Sequence, residues 1–289
     1  HAFFYCVKVK RVSIPSSIRV IEQFTFYGCN SLDTVELCEG LEEIGESAFD
    51  KDPLKHLVVP STVKRIGKSA FSCSKLRSVW LPEGVESIGN NAFCHAQVTK
   101  FRVPPLVKTI SHGLLACCES IFSVELPQCV NLLKGEGDRV NFESGPFAGN
   151  HFLRNVCIPS NAEMRSDVIS WGEYNTCTDL KKVFTSKEEA VNALTHRFDN
   201  LRIHSMIYYQ SYQPVEMDQL NNAIKDLTDS DESTCQDCLG MTPLHILACS
   251  TVQNLELYRV LLEAYPKHLI TGDKWRALPF LYAVWGSAP

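Results

Sequence analysis

The feature that most constrains this chain is a period. Residues 58–93, "VVPSTVKRIGKSAFSCSKLRSVWLPEGVESIGNNAF", state one unit nearly twice, with Ile66, Gly67, Ala70 and Phe71 returning as Ile88, Gly89, Ala92 and Phe93. Laid on itself at 22 or 23 residues, the chain brings Phe26, Phe49, Phe71, Phe93 and Leu115 into one frame, each five residues after an isoleucine: Ile21, Ile44, Ile66, Ile88 and Ile110. A fixed period of this length means stacked coils, because one unit cannot bury its own apolar side chains and its neighbours must cover them.

Each unit also carries an "LxxVxL" stretch: Leu32-Val35-Leu37, Leu54-Leu57-Val59, Leu76-Val79-Leu81, Val98-Phe101-Val103 and Ile121-Val124-Leu126. The last two apolar positions alternate with polar ones and are often β-branched, which predicts a short half-buried strand. Pro15, Pro60, Pro82, Pro104 and Pro127 end these strands, since proline has no N–H for a ladder. The glycine of each Ile-Gly step is expected to permit a bend, and each Phe to plug the interior of its coil.

The units "IPSSIRVIEQFTFYGCNSLDTVEL" and "LPEGVESIGNNAFCHAQVTKFRV" resemble the BspA-like (Treponema-type) leucine-rich repeat, over about residues 1–160. "AFFYC" at 2–6 matches the "AFxxC" step, so the chain is expected to open inside a repeat. The resemblance implies a repeat fold: a leucine-rich-repeat β-solenoid of seven to eight coils over residues 1–185, with short parallel strands and one concave sheet face. "LLKGEGDRVNFESG" (132–145) interrupts the array before Phe147; further strands are expected at Leu153-Val156-Ile158 and at Leu180 and Val183.

From Ser186 the period becomes helical. Ser186 and Glu189 form a capping box, and Met217, Leu220, Ile224 and Leu227 make a one-sided stripe. Residues 228–236 read as an acidic loop. "DCLGMTPLHILACSTVQNLELYRVLLEAYP" then resembles an ankyrin repeat, with Asp237, Gly240, Thr242, Pro243, Leu244 and His245 at the turn and first helix and Leu255, Leu261 and Leu262 in the second. Thirty-six residues beyond Asp237, "DKWRALPFLYA" repeats the pattern with Arg276 in the glycine's place, and "LRIHSMIYY" echoes it earlier, with His204 where His245 stands. The resemblance implies α-helical ankyrin-like repeats over 186–289, the last stopping short at Pro289 with an apolar edge exposed.

Chemistry-bearing motifs are few. Cys235, Cys238, His245 and Cys249 are four residues of zinc-ligand type, and His245 and Cys249 are one helical turn apart, so a zinc module stays open. The ankyrin resemblance implies instead that His245 is a structural hydrogen-bonding residue. "KGEGD" (134–138) lacks the lysine of a phosphate loop, and no hydrolase, metalloprotease or kinase signature occurs. No catalytic, metal or cofactor-binding residue is therefore nominated, and the expected function is non-enzymatic.

Cys6, Cys29, Cys73, Cys94, Cys117 and Cys118 fall one to three residues after the Phe position, where a thiol can pack between coils. Equivalent positions in adjacent coils lie close, so disulfides stay open. The ankyrin resemblance implies a reducing, intracellular setting with free thiols. The chain has no Asn-X-Ser/Thr sequon, and no apolar run approaches the roughly 18 residues of a membrane span. A net charge of −5 argues against a dedicated nucleic-acid binder.

What remains is the outward face of the strands. Reading it from Lys10, Arg11 and Ser13 through Lys55, His56, Val58, Arg77, Ser78, Trp80, Thr99, Lys100, Arg102, Phe122, Ser123 and Glu125 to Lys181, Lys182 and Phe184 gives nine basic and three acidic positions on an acidic chain. Trp80 lies in the same column as Val58 and Arg102, and exposed Trp and Arg dominate interface hot spots. The expected role is a protein-interaction scaffold that docks an acidic protein or peptide on Trp80, Val58, Arg77, Arg102, Lys100 and His56, with no cofactor. Two alternatives stay open: a polyanion or nucleic-acid reader using the basic face, and a secreted adhesive surface. So does the reading that this face is merely solubilising, with Trp80 partly covered.

Overall fold

In the computed structural model, the described residues are 2–127, 145–150, 153, 155–157, 183–211, 213–227 and 236–285. Each of the first coils contributes two short strands. The chain order is β1 (Arg11–Ile14), β2 (Val20–Ile21), β3 (Thr34–Leu37), β4 (Glu43–Ile44), β5 (His56–Val58), β6 (Arg65–Ile66), β7 (Ser78–Trp80), β8 (Ser87–Ile88), β9 (Lys100–Arg102), β10 (Ser123–Glu125) and β11 (Asn155–Cys157). The odd strands to β9, with β10 and β11, follow the repeat in a first ribbon made of three sheets, β1-β3, β5-β7 and β9-β10-β11, and β2-β4-β6-β8 form a second, continuous one. All pairings are parallel and follow the repeat, with Val12 on Val35, Leu57 on Val79, and Val124 between Phe101 and Val156. The strand expected at Leu180 and Val183 lies mostly outside the described residues; Val183 itself sits in a turn.

The Ala-Phe corner is a third ladder. Phe26, Phe49, Phe71 and Phe93 each donate their N–H to the next coil, at Ala48, Ala70, Ala92 and Leu114 O, over 2.8–3.0 Å. The residues two places before and after each Phe do the same, and nearly all are left-handed, including Phe24, Ser47, Ser69 and Asn91 before it and Gly28, Lys51, Cys73 and His95 after it. This alternating backbone aims successive N–H groups along the solenoid axis, so a corner without regular strand geometry still satisfies its donors. Inside it the rings stack: Phe3, Phe26, Phe49, Phe71 and Phe93 follow at centroid spacings of 5.1, 5.2, 5.5 and 5.3 Å and within 12° of parallel. Where the column reaches Leu115, Phe101 on β9 fills the lost volume and meets Phe93 at 5.0 Å.

The Ile-Gly glycines do not make a bend. Gly45, Gly67 and Gly89 lie outside the left-handed region, and each donates its N–H to the isoleucine carbonyl of the preceding coil at 2.7–2.8 Å. A Cβ on Gly67 would lie 2.6 Å from both Glu46 N and Gly45 C, so the glycine is there for close approach of two backbones. Gly67→Ala should therefore destabilise the chain by about 3 kcal/mol although it adds one methyl group. Urea unfolding would measure this, with Gly84→Ala, where the nearest atom is 3.3 Å away, as the milder comparison.

One further column stands three residues after each Phe: Cys6, Cys29, Asp52, Ser74, Ala96, Cys118 and Asn150. Asn150 Oδ1 accepts the Cys118 N–H at 2.7 Å, and its Nδ2 donates to Leu115 O at 2.8 Å. Asp52 Oδ1 likewise accepts the Cys29 N–H at 2.8 Å, but its Oδ2 is buried with no hydrogen bond. Burial, with Asp50 adding to it, pushes the Asp52 carboxyl up to about 8.

The helical part comprises α1 (Lys187–Thr195), α2 (Arg202–Tyr208), α3 (Met217–Leu227), α4 (Pro243–Cys249), α5 (Leu255–Ala264) and α6 (Pro279–Trp285). Ser186 caps α1 by accepting the Glu189 N–H, while the Glu189 carboxylate turns back to accept the Thr185 N–H at 2.7 Å. The turns before α4 and α6 are copies at a 36-residue spacing. Asp237 Oδ1 accepts Leu239 and Met241 N–H, as Asp273 Oδ1 accepts Trp275 and Ala277 N–H, all within 2.9 Å. The left-handed positions correspond too, Gly240 at φ +74° and Arg276 at φ +62°. His204 Nε2 meets Met241 O and His245 Nε2 meets Ala277 O, each at 3.0 Å, so each first helix hydrogen-bonds the turn of the next unit. On α6, Phe280 and Val284 are exposed. The acidic stretch 228–235 lies outside the described residues.

Candidate docking surface

The two parts share one apolar core that runs without a break from Ile14 in the first coil to Tyr282 on α6. They meet on the ribbon itself. Lys100 Nζ donates to Ala248 O at 2.9 Å and Ser250 O at 3.1 Å, at the C-terminal end of α4. Glu125 accepts the Thr251 N–H at 2.7 Å and its hydroxyl at 3.2 Å, and the Tyr208 hydroxyl bonds the Leu126 amide at 2.8 Å. The Phe122 ring packs 6.0 Å from Tyr282. A cation on helix-terminal carbonyls and a carboxylate on the N–H that follows each match the backbone polarity they face. Removal from water holds Lys100 below the usual lysine range.

The ribbon expected to face outward throughout is therefore covered over its later coils. Phe122, Ser123, Glu125 and Phe184, all expected to point to solvent, are buried. Lys100 is engaged by α4, and Arg102, only 13% exposed at its side chain, donates to Glu83 Oε1 at 2.6 Å. Neither is available to an incoming partner, and both leave the set of docking residues. Arg154, Lys181 and Lys182 lie outside the described residues. A signal was present in the sequence: apolar Phe122 and Phe184 stand at positions that earlier coils fill mainly with polar groups, as a covered face requires.

The earlier coils keep an open surface. Val58 is 69% and Trp80 51% exposed, and the two are register partners on β5 and β7. Beside them, His56 Nδ1 lies 2.8 Å from Ser78 Oγ, a cross-strand pair one step along the same two strands. Val58 and Trp80 border a shallow groove of about 450 Å³ whose rim carries Glu36 and Glu39. Glu39 is held below the usual carboxylate range by the Ser61 N–H and hydroxyl, so it keeps its charge. Lys10, Arg11, Lys55 and Arg77 line the opposite edge, exposed and without an ion pair among the described residues. The free ribbon is thus polarised across its width, with one edge mainly cationic, interrupted by the exposed Asp33 between Lys10 and Lys55, and an apolar and acidic border along the other.

Among the described residues, the cysteine and histidine set does not assemble as a ligand cluster. His245 Nδ1 accepts the Thr242 N–H at 3.1 Å in the α4 cap, and Nε2 is committed to Ala277 O, so both ring nitrogens are in use. Burial holds this imidazole below the usual histidine range. Cys235 lies outside the described residues, and no group of three metal-ligating side chains occurs among the described ones. Cys29 and Cys118 are buried free thiols, pushed up to about 11 and about 12 by burial. Among the described residues no helix is long and apolar enough to cross a membrane.

Residues 1–122 match the model of the BspA type leucine rich repeat region, in six copies. Among solved structures, a leucine-rich repeat protein from Bacteroides ovatus is 26% identical with a TM-score of 0.49, over 56% of this chain and 40% of that one. The T. pallidum leucine rich repeat protein is 38% identical with a TM-score of 0.43, over 45% of this chain and 63% of that one. The pneumococcal vaccine antigen PcpA is 28% identical with a TM-score of 0.35, over 44% of this chain and 31% of that one. The chain thus spans less than two thirds of the length of each. No curated protein matches the sequence.

Proposed function

We propose that this chain is a non-catalytic protein-interaction scaffold that docks an acidic protein segment on the free part of its first ribbon, with Trp80 as the anchor. The single observation that carries the reading is the register pair Val58–Trp80: two large apolar side chains held open side by side on adjacent strands, at 69% and 51% exposure, more than any other apolar residue of the early strands, where Val20 follows at 40%. Single exposed apolar residues are ordinary, whereas adjacent ones on a rigid scaffold mark a binding surface. Arg77, Lys55 and His56 flank the anchor and supply the attraction for acidic groups. The Glu36 and Glu39 rim would repel a polyanion, which favours a protein partner over nucleic acid. In this reading the helical half is a run of ankyrin-like units, supported by the copied turn at Asp237 and Asp273 and by the histidine bond from each unit to the next.

Trp80→Ala should weaken the partner by about 2 kcal/mol, near thirtyfold in Kd, while leaving the thermal melting curve unchanged because the indole contributes little to the core. Affinity capture with the full chain, followed by titration of the identified partner against both forms, makes the measurement. Equal affinity of the two forms would remove the anchor.

A further inference from the structure

The chain already shows what its ribbon accepts. At β9 and β10 a cation and a carboxylate stand in a diagonal relation: Glu125 lies in register with Arg102, two residues beyond Lys100. Lys100 takes the terminal carbonyls of α4, and Glu125 takes the first N–H of the turn that follows. The same diagonal recurs at the other end. Glu36 on β3 lies in register with Ser13, two residues beyond Arg11 on β1. Arg11 and Glu36 are both exposed, and neither forms an ion pair among the described residues. Between the two diagonals, in the column that holds Glu36 and Glu125, lie Val58 and Trp80, an apolar patch beside the free diagonal as Phe122, in a different column, and its neighbour Tyr282 are beside the used one.

We propose that the free ribbon receives a helix end: a partner helix whose C-terminal carbonyls meet Arg11, whose next backbone N–H meets Glu36, and whose apolar side chain sits against Val58 and Trp80. The inference rests on the docking function assigned to this ribbon and names the kind of partner. A helix C-terminus carries negative potential, so the cations of the ribbon edge, Lys10 and Lys55 with Arg11, complement it as they would an acidic group. The free surface lies in the same row of repeat-related parallel strands as the interface that already holds α4. A helix–turn unit is therefore what its shape and polarity both match.

The test uses the full chain as bait for two display libraries, one of two-helix hairpins with randomised turns and exposed faces, the other of linear 12-residue peptides. Hairpins are expected to enrich, and Arg11→Glu, Glu36→Lys and Trp80→Ala should each weaken the selected hairpins tenfold or more. All three positions are exposed, so the variants should fold, and unchanged melting curves would verify that. If only linear peptides enrich and they depend on Trp80, the helix-end assignment falls while the docking ribbon stands. If hairpins enrich but ignore Arg11→Glu and Glu36→Lys, the assignment falls as well. If no selected binder depends on Trp80, both fall.

Discussion

Phe71→Ala is expected to lower the stability of this protein by about 4 kcal/mol, one of the largest effects that any single truncation here should have. Phe71 is fully buried, and its ring stacks on Phe49 at 5.5 Å below and Phe93 at 5.3 Å above. Truncation removes both ring contacts and opens a void that neighbouring coils cannot collapse into, because three hydrogen-bonded ladders fix their spacing. Phe3→Ala is the internal comparison: Phe3 is 44% exposed and stacks on one side only, against Phe26, so about 1 kcal/mol is expected. Chemical denaturation of both variants makes the measurement. Similar losses at the two positions would mean that the aromatic column is not what seals the coils. Phe71→Leu should recover only part of the loss, since the natural leucine at 115 is accompanied by the larger Phe101 on β9.

The second large effect has the opposite sign. Asp52→Asn should stabilise the protein, and increasingly so as the pH rises. Below about pH 4 the carboxyl is neutral in the folded and the unfolded chain alike, and its burial carries no charge penalty. Above that, the unfolded chain releases its proton near the ordinary value of 3.8 while the folded chain holds it to about 8. Stability therefore falls with rising pH across this window, by about 1.4 kcal/mol for each pH unit, and levels off beyond it. The accumulated loss at pH 7 is on the order of 4 kcal/mol. Asparagine abolishes it and can form the second hydrogen bond that Asn150 makes to Leu115 O in the equivalent place. Urea midpoints of the two forms should lie closest near pH 4, separate as the pH rises and be far apart at pH 8. Asp50, also raised chiefly by burial, should leave the variant a residual slope of the same sign. A destabilised Asp52→Asn at pH 8 would show that Asp52 is charged in the folded chain and satisfied in some other way.

Much of the solenoid was legible in the sequence because its determinants are local and repeated. Each Phe, Ile and strand hydrophobe reports its own burial through its period, so the column through Phe26, Phe49, Phe71 and Phe93 could be named before any coordinates. The glycine of the Ile-Gly step was visible as a requirement, but its reason was not. A left-handed turn and a close backbone approach both demand glycine, and only the packed coils distinguish them. The left-handed residues around each Phe left only a partial trace: Gly28 and Asn91 favour that backbone, but Ser47, Ser69 and Lys51 do not.

The docking surface was legible in part. Val58, Trp80, His56 and Arg77 are exposed as the strand alternation implies, whereas Lys100 and Arg102 obey the same alternation and are nevertheless engaged. By itself the sequence determined the coil, its period, the direction of each strand side chain and the identity of the buried aromatic column, because those follow from the pattern of apolar residues within one unit and its neighbour. Only the tertiary structure decided which outward residues meet solvent and which carboxylate is protonated. The element that covers Lys100 arrives from some 150 residues downstream, and the environment that neutralises Asp52 is assembled from adjacent coils. Desolvation is a property of what finally surrounds a group, and no local pattern encodes it.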